Sequence, residues 1–465
     1  FHGDEHEDEH GDEHGDEHGE EEHEEERIFS STDSETFTIK GSFNINGDLV
    51  NKIDYSYRDT DYSLIEQHAE EEGHDDHEGE EEHEEHAPTL FKNDATEYGA
   101  VFDMSNDNIT QKLSFNFVDE DSSIVGEEAF MNPANNEEFT LGYYMSKDLD
   151  LYKVDFGMRL DQIDRTGSVT DEDHGDVDYY SIDDSTSSFA VSLGRDLSDT
   201  LDVNVGFSSV ERLPSVIELF MNGPHMATGR LETGNPNLKS ETSDNFDITF
   251  NYENGEYFGY ASFYINDVDN YITLMDEEDD HDGHDGHDGH DPHHDDDDDD
   301  HPVGDPHDPH ENLIHADYVQ EDAEFDGYEI EFGRTMSLAS GELTLSFGRD
   351  VVNAKFADGH NVPRINPARN VYSLAYEQDD TIFKLSMKDV EKQNDFGEGE
   401  TASEAYQMLD MRLTKRFNIN NAGDLKVTLF GRNLLDEVAR NHASFVKNEV
   451  PLPGRNYGIK FNFSY

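Results

Sequence analysis

Apolar and polar side chains alternate with a period of two along most of the chain. The stretch "KLSFNFV" places Leu113, Phe115 and Phe117 on one face, and "NFDITFNY" (245–252) repeats the pattern. Successive strand residues point to opposite faces, so these runs predict strands with one apolar and one polar face. No helical segment of any length stands out. The pattern therefore predicts an all-β protein.

Seventeen runs of this kind are predicted as strands. They cover 34–47, 48–58, 93–104, 108–118, 136–147, 149–164, 177–196, 199–212, 241–254, 255–270, 318–337, 341–356, 368–378, 380–393, 402–418, 422–434 and 454–465. Many are close to 11 residues long. At about 3.3 Å per residue and a tilt of about 45°, such a strand spans the roughly 25 Å apolar height of an outer-membrane barrel.

Short and long connections alternate between the predicted strands. Tight turns such as "NGD" (46–48) and "ENGE" (253–256) alternate with long connections. The long connections are 59–92, 119–135, 165–176, 213–240, 271–317, 357–367, 394–401 and 435–453. All of them therefore lie at one end of the sheet, as in outer-membrane barrels. A secreted β-solenoid would need a fixed-length repeat, which is absent. The fold class predicted is a transmembrane antiparallel β-barrel.

Charge and composition exclude several partners and chemistries. The net charge is −80 and cysteine is absent. An acidic chain has no electrostatic attraction for nucleic acid or for an anionic lipid surface. Without cysteine it has neither disulfides nor thiolate metal sites. No apolar run is long enough for a transmembrane helix, although a barrel needs none.

Three tracts, at 1–26, 66–86 and 276–315, hold 21 of the 25 histidines among Asp and Glu residues. Imidazole with carboxylate suits a borderline transition metal, whereas calcium prefers oxygen ligands alone. The alternative is a solvated acidic run with incidental histidines. The candidate metal ligands in the tracts are His6, His10, His14, His18, His74, His77, His83, His86, His281, His284, His287, His290, His293, His294, His301, His307 and His310. The tracts at 66–86 and 276–315 are expected to be disordered loops, because they contain very few apolar residues to bury.

Two histidines outside the tracts are further candidates for metal ligands. His225 in "NGPHMAT" and His442 in "RNHASFV" both fall in long connections, and so at the end of the sheet that carries the tracts. A lone histidine is more often a packing residue than a ligand. Glu218, His174 and His360 are weaker candidates.

Several motifs resemble those of the C-terminal β-barrel of TonB-dependent outer-membrane receptors. They are "RLPSVIEL" (212–219), "GNPNLKSE" (234–241), "NLLD" (433–436), "PLPGR" (451–455) and the closing aromatic Tyr465. Among these receptors, the histidine-rich loops resemble those of zinc-uptake receptors most. Arg212, Pro214, Asn235, Pro236, Pro453, Gly454 and Arg455 match the motifs and are expected to be structural, with Gly454 in a turn conformation that other residues avoid.

The resemblance implies a barrel of 22 strands around an N-terminal plug. The 17 strands would be its last, preceded by a truncated external loop at 1–33, with the barrel at 34–465. The plug, the TonB-contacting segment and five strands are then expected to lie outside this chain.

Import, not catalysis, is the activity implied. The partners would be TonB with its inner-membrane energising complex, outer-membrane lipid and divalent metal ions, with no nucleic acid, in the outer membrane of a Gram-negative bacterium. Zinc would be the transported ligand and no cofactor is required. No nucleophile motif such as G-x-S-x-G is present and no predicted helix carries an H-E-x-x-H motif, so no enzyme is predicted. Two alternatives stay open: import of a metal chelate such as a siderophore or haem, and a calcium-binding surface β-protein without transport.

Overall fold

The computed structural model describes residues 28–45, 47–68, 88–126, 129–170, 175–277, 313–419 and 423–464. The strands are β1 Ile28–Asn44, β2 Lys52–His68, β3 Thr89–Asp103, β4 Thr110–Val125, β5 Ala134–Leu149, β6 Tyr152–Thr170, β7 Val177–Ser198, β8 Leu201–Arg212, β9 Asn222–His225, β10 Arg230–Thr233, β11 Glu241–Glu253, β12 Tyr257–Asp276, β13 Ile314–Leu338, β14 Gly341–Phe356, β15 Arg369–Gln378, β16 Thr381–Val390, β17 Tyr406–Asn418, β18 Asp424–Arg432 and β19 Asn456–Ser464. The helix α1 spans Val216–Phe220, and a 3-10 turn spans Met226–Thr228. Over these ranges, no helix has the length and apolar character needed to cross a membrane.

Seventeen long strands form one antiparallel meander, and the two short strands β9 and β10 lie inside a loop. Each long strand pairs with the next along the chain, with β8 pairing directly with β11. Within the described ranges, β1 pairs only with β2 and β19 only with β18. The predicted all-β class and the 17 predicted strands are confirmed.

Tight turns and long connections alternate as the sequence predicts. The turns include the two residues 150–151 between β5 and β6 and 339–340 between β13 and β14. The connection from β8 to β11, by contrast, spans 213–240 and contains four short elements. The sheet therefore has a turn end and a loop end, and all long connections lie at the loop end.

One face of the sheet, which we call the outer face, exposes large apolar side chains. The ladder registers place on it Tyr98, Phe139, Phe189, Phe246, Phe263, Phe332, Tyr372, Ile459 and Phe461, each more than a third exposed. Soluble proteins rarely expose contiguous apolar patches of more than a few hundred Å². An apolar band that runs across the whole sheet is what a lipid-facing surface requires.

The apolar band ends in register across neighbouring strands. Tyr57, Tyr98 and Phe117 lie side by side on β2, β3 and β4, with ring centroids 5.1 Å and 6.3 Å apart. Two residues further towards the loop end, the same face carries Asp119 opposite Glu137. Aromatic residues commonly mark the rim of the lipid-facing band, and charged residues follow beyond it.

The connection 213–240 packs against the opposite, inner face. Leu219 and Phe220 of α1 are fully buried in a cluster with Phe130 and Met131. Gly167 of β6 lies directly beneath Phe220, since a Cβ atom there would be 2.4 Å from the Phe220 ring. This glycine therefore allows the loop to lie flat on the sheet.

The structure differs from the sequence prediction at the loop end, where strands extend further. Strand β1 begins at Ile28, not at residue 34, and β2 continues to His68. β13 reaches 25 residues. The first residues of the tract at 66–86 and the ends of the tract at 276–315 are therefore strand. Backbone pairing continues past the lipid band because polar side chains on the outer face do not interrupt a ladder.

Candidate functional site

The loop end brings together segments that are far apart in sequence. Strand β10 pairs in parallel with the start of β13, with Arg230 opposite Ile314. Arg230 also forms a bidentate ion pair with Asp276, its Nε and Nη2 atoms lying 2.7 Å and 2.6 Å from the carboxylate oxygens. Asp276 and Ile314 flank the third histidine-rich tract. Both ends of that tract are thus attached to the connection that contains His225.

Arg212 organises the start of the same connection. Its guanidinium contacts Glu218 at 2.9 Å and Glu241 at 3.0 Å. Glu218 also accepts a hydrogen bond from the backbone N–H of Ser215, while the Ser215 side chain caps α1 in return. Both oxygens of Glu218 are therefore committed to structural contacts. The expected structural role of Arg212 agrees with this geometry.

His225 is held by a buried carboxylate. Its Nδ1 atom lies 2.9 Å from Oε1 of Glu232, whose side chain is only 3% exposed. The Thr228 hydroxyl lies 2.6 Å from the same oxygen. Burial opposes ionisation of Glu232, but the hydrogen bonds from His225 and Thr228 outweigh it and lower the pKa of this carboxyl. Glu232 is therefore an ionised acceptor in a nearly dry setting.

The His225 ring packs against a phenyl ring and stays partly exposed. The ring stacks on Phe130 with centroids 4.5 Å apart, and 28% of the side chain is exposed. Its Nε2 atom has no hydrogen-bond partner among the residues that the structure describes. The ring is thus fixed in position, and within the described ranges only Nδ1 is engaged.

His442 lies in a different, closed environment. Its side chain is 1% exposed, and its Nδ1 atom is 2.7 Å from the Ser403 hydroxyl and 3.4 Å from Nζ of Lys447. Its Nε2 atom faces Glu400 at 3.6 Å, slightly too far for a hydrogen bond, and has no other partner in the described ranges. This cluster attaches the last long connection to the connection between β16 and β17.

Phe445 links the two parts of the loop end. The guanidinium carbon of Arg230 lies 4.6 Å from the centre of its ring, and that of Arg364 lies 4.4 Å away. Arg364 also donates to the Thr273 hydroxyl and to the carbonyl of Leu274. Burial lowers the pKa of the Arg364 guanidinium. Three connections and the end of β12 therefore meet around one phenyl ring.

The remaining predicted ligands are distributed as follows. The 17 tract histidines named as candidate ligands and His174 lie outside the described residues, and their predicted role stays a prediction. His360 is exposed, and its Nδ1 atom is 2.8 Å from Asp358. In the part of the chain that the structure describes, no three His, Asp or Glu side chains are grouped so as to hold a metal ion.

Glu232, Glu400, Ser403 and Lys447 were not predicted as site residues. Glu232 is seven positions from His225 and reaches it only because β9 and β10 form a short hairpin. None of the sequence motifs described above indicates that hairpin. Glu400 and Lys447 meet across two connections, which a single sequence does not reveal.

Residues 12–434 match the family described as TonB dependent receptor-like, beta-barrel. The chain therefore belongs to this family of outer-membrane receptors, which work with TonB.

Solved structures of similar fold include three transporters or receptors of metals and haem. The copper transporter OprC is 16% identical with a TM-score of 0.68, over 93% of this chain and 65% of that chain. The FrpB iron transporter from Neisseria meningitidis is 12% identical with a TM-score of 0.60, over 92% and 62%. The Serratia marcescens hemophore receptor HasR, in complex with its hemophore HasA and heme, is 12% identical with a TM-score of 0.61, over 93% and 65%. At these identities the likeness concerns the fold, and this chain spans less than two thirds of each of these proteins.

Proposed function

We propose that the whole protein is a TonB-dependent importer of a divalent transition metal, with zinc as its foremost cargo, in the outer membrane of a Gram-negative bacterium. The observation that carries the proposal is the place of His225 at the loop end, with Nδ1 engaged by Glu232 and with no partner for Nε2 among the described residues. Neutral imidazole with a free ring nitrogen is a preferred ligand of zinc and copper.

In this proposal the histidine-rich tracts bind metal ions first and pass them on to the loop end. Their imidazoles and carboxylates attract divalent cations, and repeats of this kind rarely provide the preorganised tetrahedral geometry of a zinc site, so we expect weak binding and ready release. The third tract begins and ends beside β10, the strand that carries Glu232. A metal ion released from its base is thus close to His225.

The basic side chains of the loop end favour a bare cation over an anionic chelate. Arg212, Arg230 and Lys447 face carboxylates. Arg165 and Arg440 donate to backbone carbonyls. Recognition of an anionic siderophore or of haem propionates needs unpaired cationic donors. In the described ranges these five side chains have internal partners already.

Uptake of radioactive zinc by a zinc-limited Gram-negative host tests the proposal. The host would express the full-length receptor as wild type, as H225A, or without residues 281–310. We expect zinc uptake that requires TonB and falls at least several-fold in both variants. Zinc uptake that neither variant changes, together with growth on a ferric siderophore or haem, would instead identify a chelate importer.

A further inference from the structure

The hydrogen-bond partners of His225 determine which of its nitrogens carries the proton. A neutral imidazole has one N–H, and an ionised carboxylate only accepts hydrogen bonds. Nδ1 of His225 lies 2.9 Å from the Glu232 carboxylate, so the proton is on Nδ1. Nε2 then carries the lone pair that can bind a metal ion.

His442 provides the opposite case within the same loop end. The Lys447 ammonium group only donates, and it lies 3.4 Å from Nδ1 of His442. Nδ1 is therefore the acceptor, and the proton is on Nε2, which faces Glu400 at 3.6 Å. A protonated ring nitrogen cannot bind a metal ion. Of the two candidate histidines, the geometry favours His225 as the ligand.

We propose that Glu232 is a positioning residue for metal capture: it holds the His225 proton on Nδ1 and leaves Nε2 as the ligand atom. This inference rests on the proposed function as a metal importer. Carboxylates that accept from a metal-binding histidine fix its tautomer and raise the basicity of the ligating nitrogen, and their loss typically weakens metal binding about 10–100-fold. Stacking on Phe130 fixes the plane of the ring, so the two contacts together define one direction of approach.

Substitution Glu232→Gln tests the role directly. The glutamine amide has nearly the same shape, but its NH₂ group can donate to Nδ1 and so move the imidazole proton to Nε2. The expected result is a 10–100-fold rise in the zinc concentration needed to occupy His225. Glu232→Asp keeps the negative acceptor and should lie closer to wild type than Glu232→Gln does.

A readout specific to His225 is needed because the tracts also bind metal. Diethyl pyrocarbonate modifies the unprotonated imidazole nitrogen, and bound zinc protects it. Mass spectrometry of the peptide that contains His225 in the full-length receptor then gives the zinc concentration for half-protection. Ser403→Ala, which alters the surroundings of His442 only, is the matched control and should leave this concentration unchanged.

The outcomes separate this inference from the proposed function. If the zinc concentration for half-protection of His225 is 10–100-fold higher in Glu232→Gln than in wild type, the positioning role is supported. Equal protection in the two proteins overturns that role but leaves the metal importer standing. No protection in wild type overturns both His225 as a ligand and Glu232 as its positioning residue. If Glu232→Gln fails to fold, Glu232→Ala, which also lacks the charged acceptor, takes its place, and a zinc concentration for half-protection unchanged from wild type would overturn the role.

Discussion

Arg230 and Asp276 form a nearly buried bidentate ion pair, with 7% and 9% of their side chains exposed. The pair joins β10 to the end of β12, and Phe445 packs against the same guanidinium. Arg230 therefore holds three segments together as one unit. They are the connection that carries His225, the base of the third tract and the last connection.

Breaking this pair should loosen β10 locally. In Asp276→Asn, the Arg230 guanidinium loses its charged partner inside a buried site, which typically costs about 3–5 kcal/mol. We expect β10 amides to exchange hydrogen much faster in this variant. Lys392→Met is the control, because Lys392 and Glu404 are 42% and 82% exposed and such pairs contribute roughly 0–1 kcal/mol. Equal rates of hydrogen exchange at the β10 amides in the two variants would show that the buried pair does not stabilise β10.

The two faces of β4 should respond differently to charge. Phe115 lies on the apolar outer face and neighbouring Asn116 lies on the inner face, 3.2 Å from a Glu97 oxygen. Phe115→Arg should destabilise the barrel by up to about 2 kcal/mol, because Phe115 lies two residues inside the aromatic rim at Phe117 and the cost falls from about 2–4 kcal/mol at the bilayer midplane to about 0–1 kcal/mol near the interface. Asn116→Arg should be tolerated, since it would face Glu97. Urea unfolding in lipid vesicles measures both, and the reverse order of stability would contradict the assignment of the faces.

The cluster around His442 should weaken in acid. Burial opposes ionisation of Glu400, but the His442 ring N–H, 3.6 Å away, and hydrogen bonds from backbone groups outweigh it, so its pKa lies below the ordinary 4.5. The ionised form is then favoured in the folded state, and its stabilisation is present above about pH 4.5 and lost as the pH falls through the lower folded value.

Limited proteolysis of the last connection as a function of pH checks this expectation. Cleavage within 435–453 should increase in wild type only below about pH 4.5, where the carboxylate becomes protonated. Glu400→Gln should be more susceptible at neutral pH and should lose this dependence on pH. A wild-type profile that is flat down to pH 3 would show that Glu400 does not stabilise the connection.

The strands were predictable because the pattern that defines them is local. Lipid on one face requires apolar residues at every second position, and all 17 predicted strands are present. Their loop ends were not predictable in this way, because beyond the lipid band both faces are polar. The short helix α1 was missed, although "SVIE" has the spacing of the capping box that Ser215 and Glu218 form.

The last connection shows how a motif can be recognised and still be misinterpreted. Gly454 was predicted to supply a turn conformation that other residues avoid, but its φ is not in the positive region, and the prediction is wrong. Asn433 and Asp436 of the "NLLD" motif adopt that conformation instead, with φ of 47° and 60°. Asn and Asp tolerate it because their short side chains bond locally. Asn433 does so by donating to the carbonyls of Glu437 and Pro453.

Competitive metal binding to the full-length receptor tests the central claim most directly. Zinc, copper, nickel, manganese and calcium would be titrated against wild type and against the variant without residues 281–310, at about pH 7.5 and about pH 5.5. These values lie on either side of the imidazole pKa near 6.5. We expect zinc or copper to bind in preference to calcium, with binding reduced by the deletion and lost at the lower pH. Binding that favours calcium and is the same at both pH values would contradict imidazole-based capture of a transition metal.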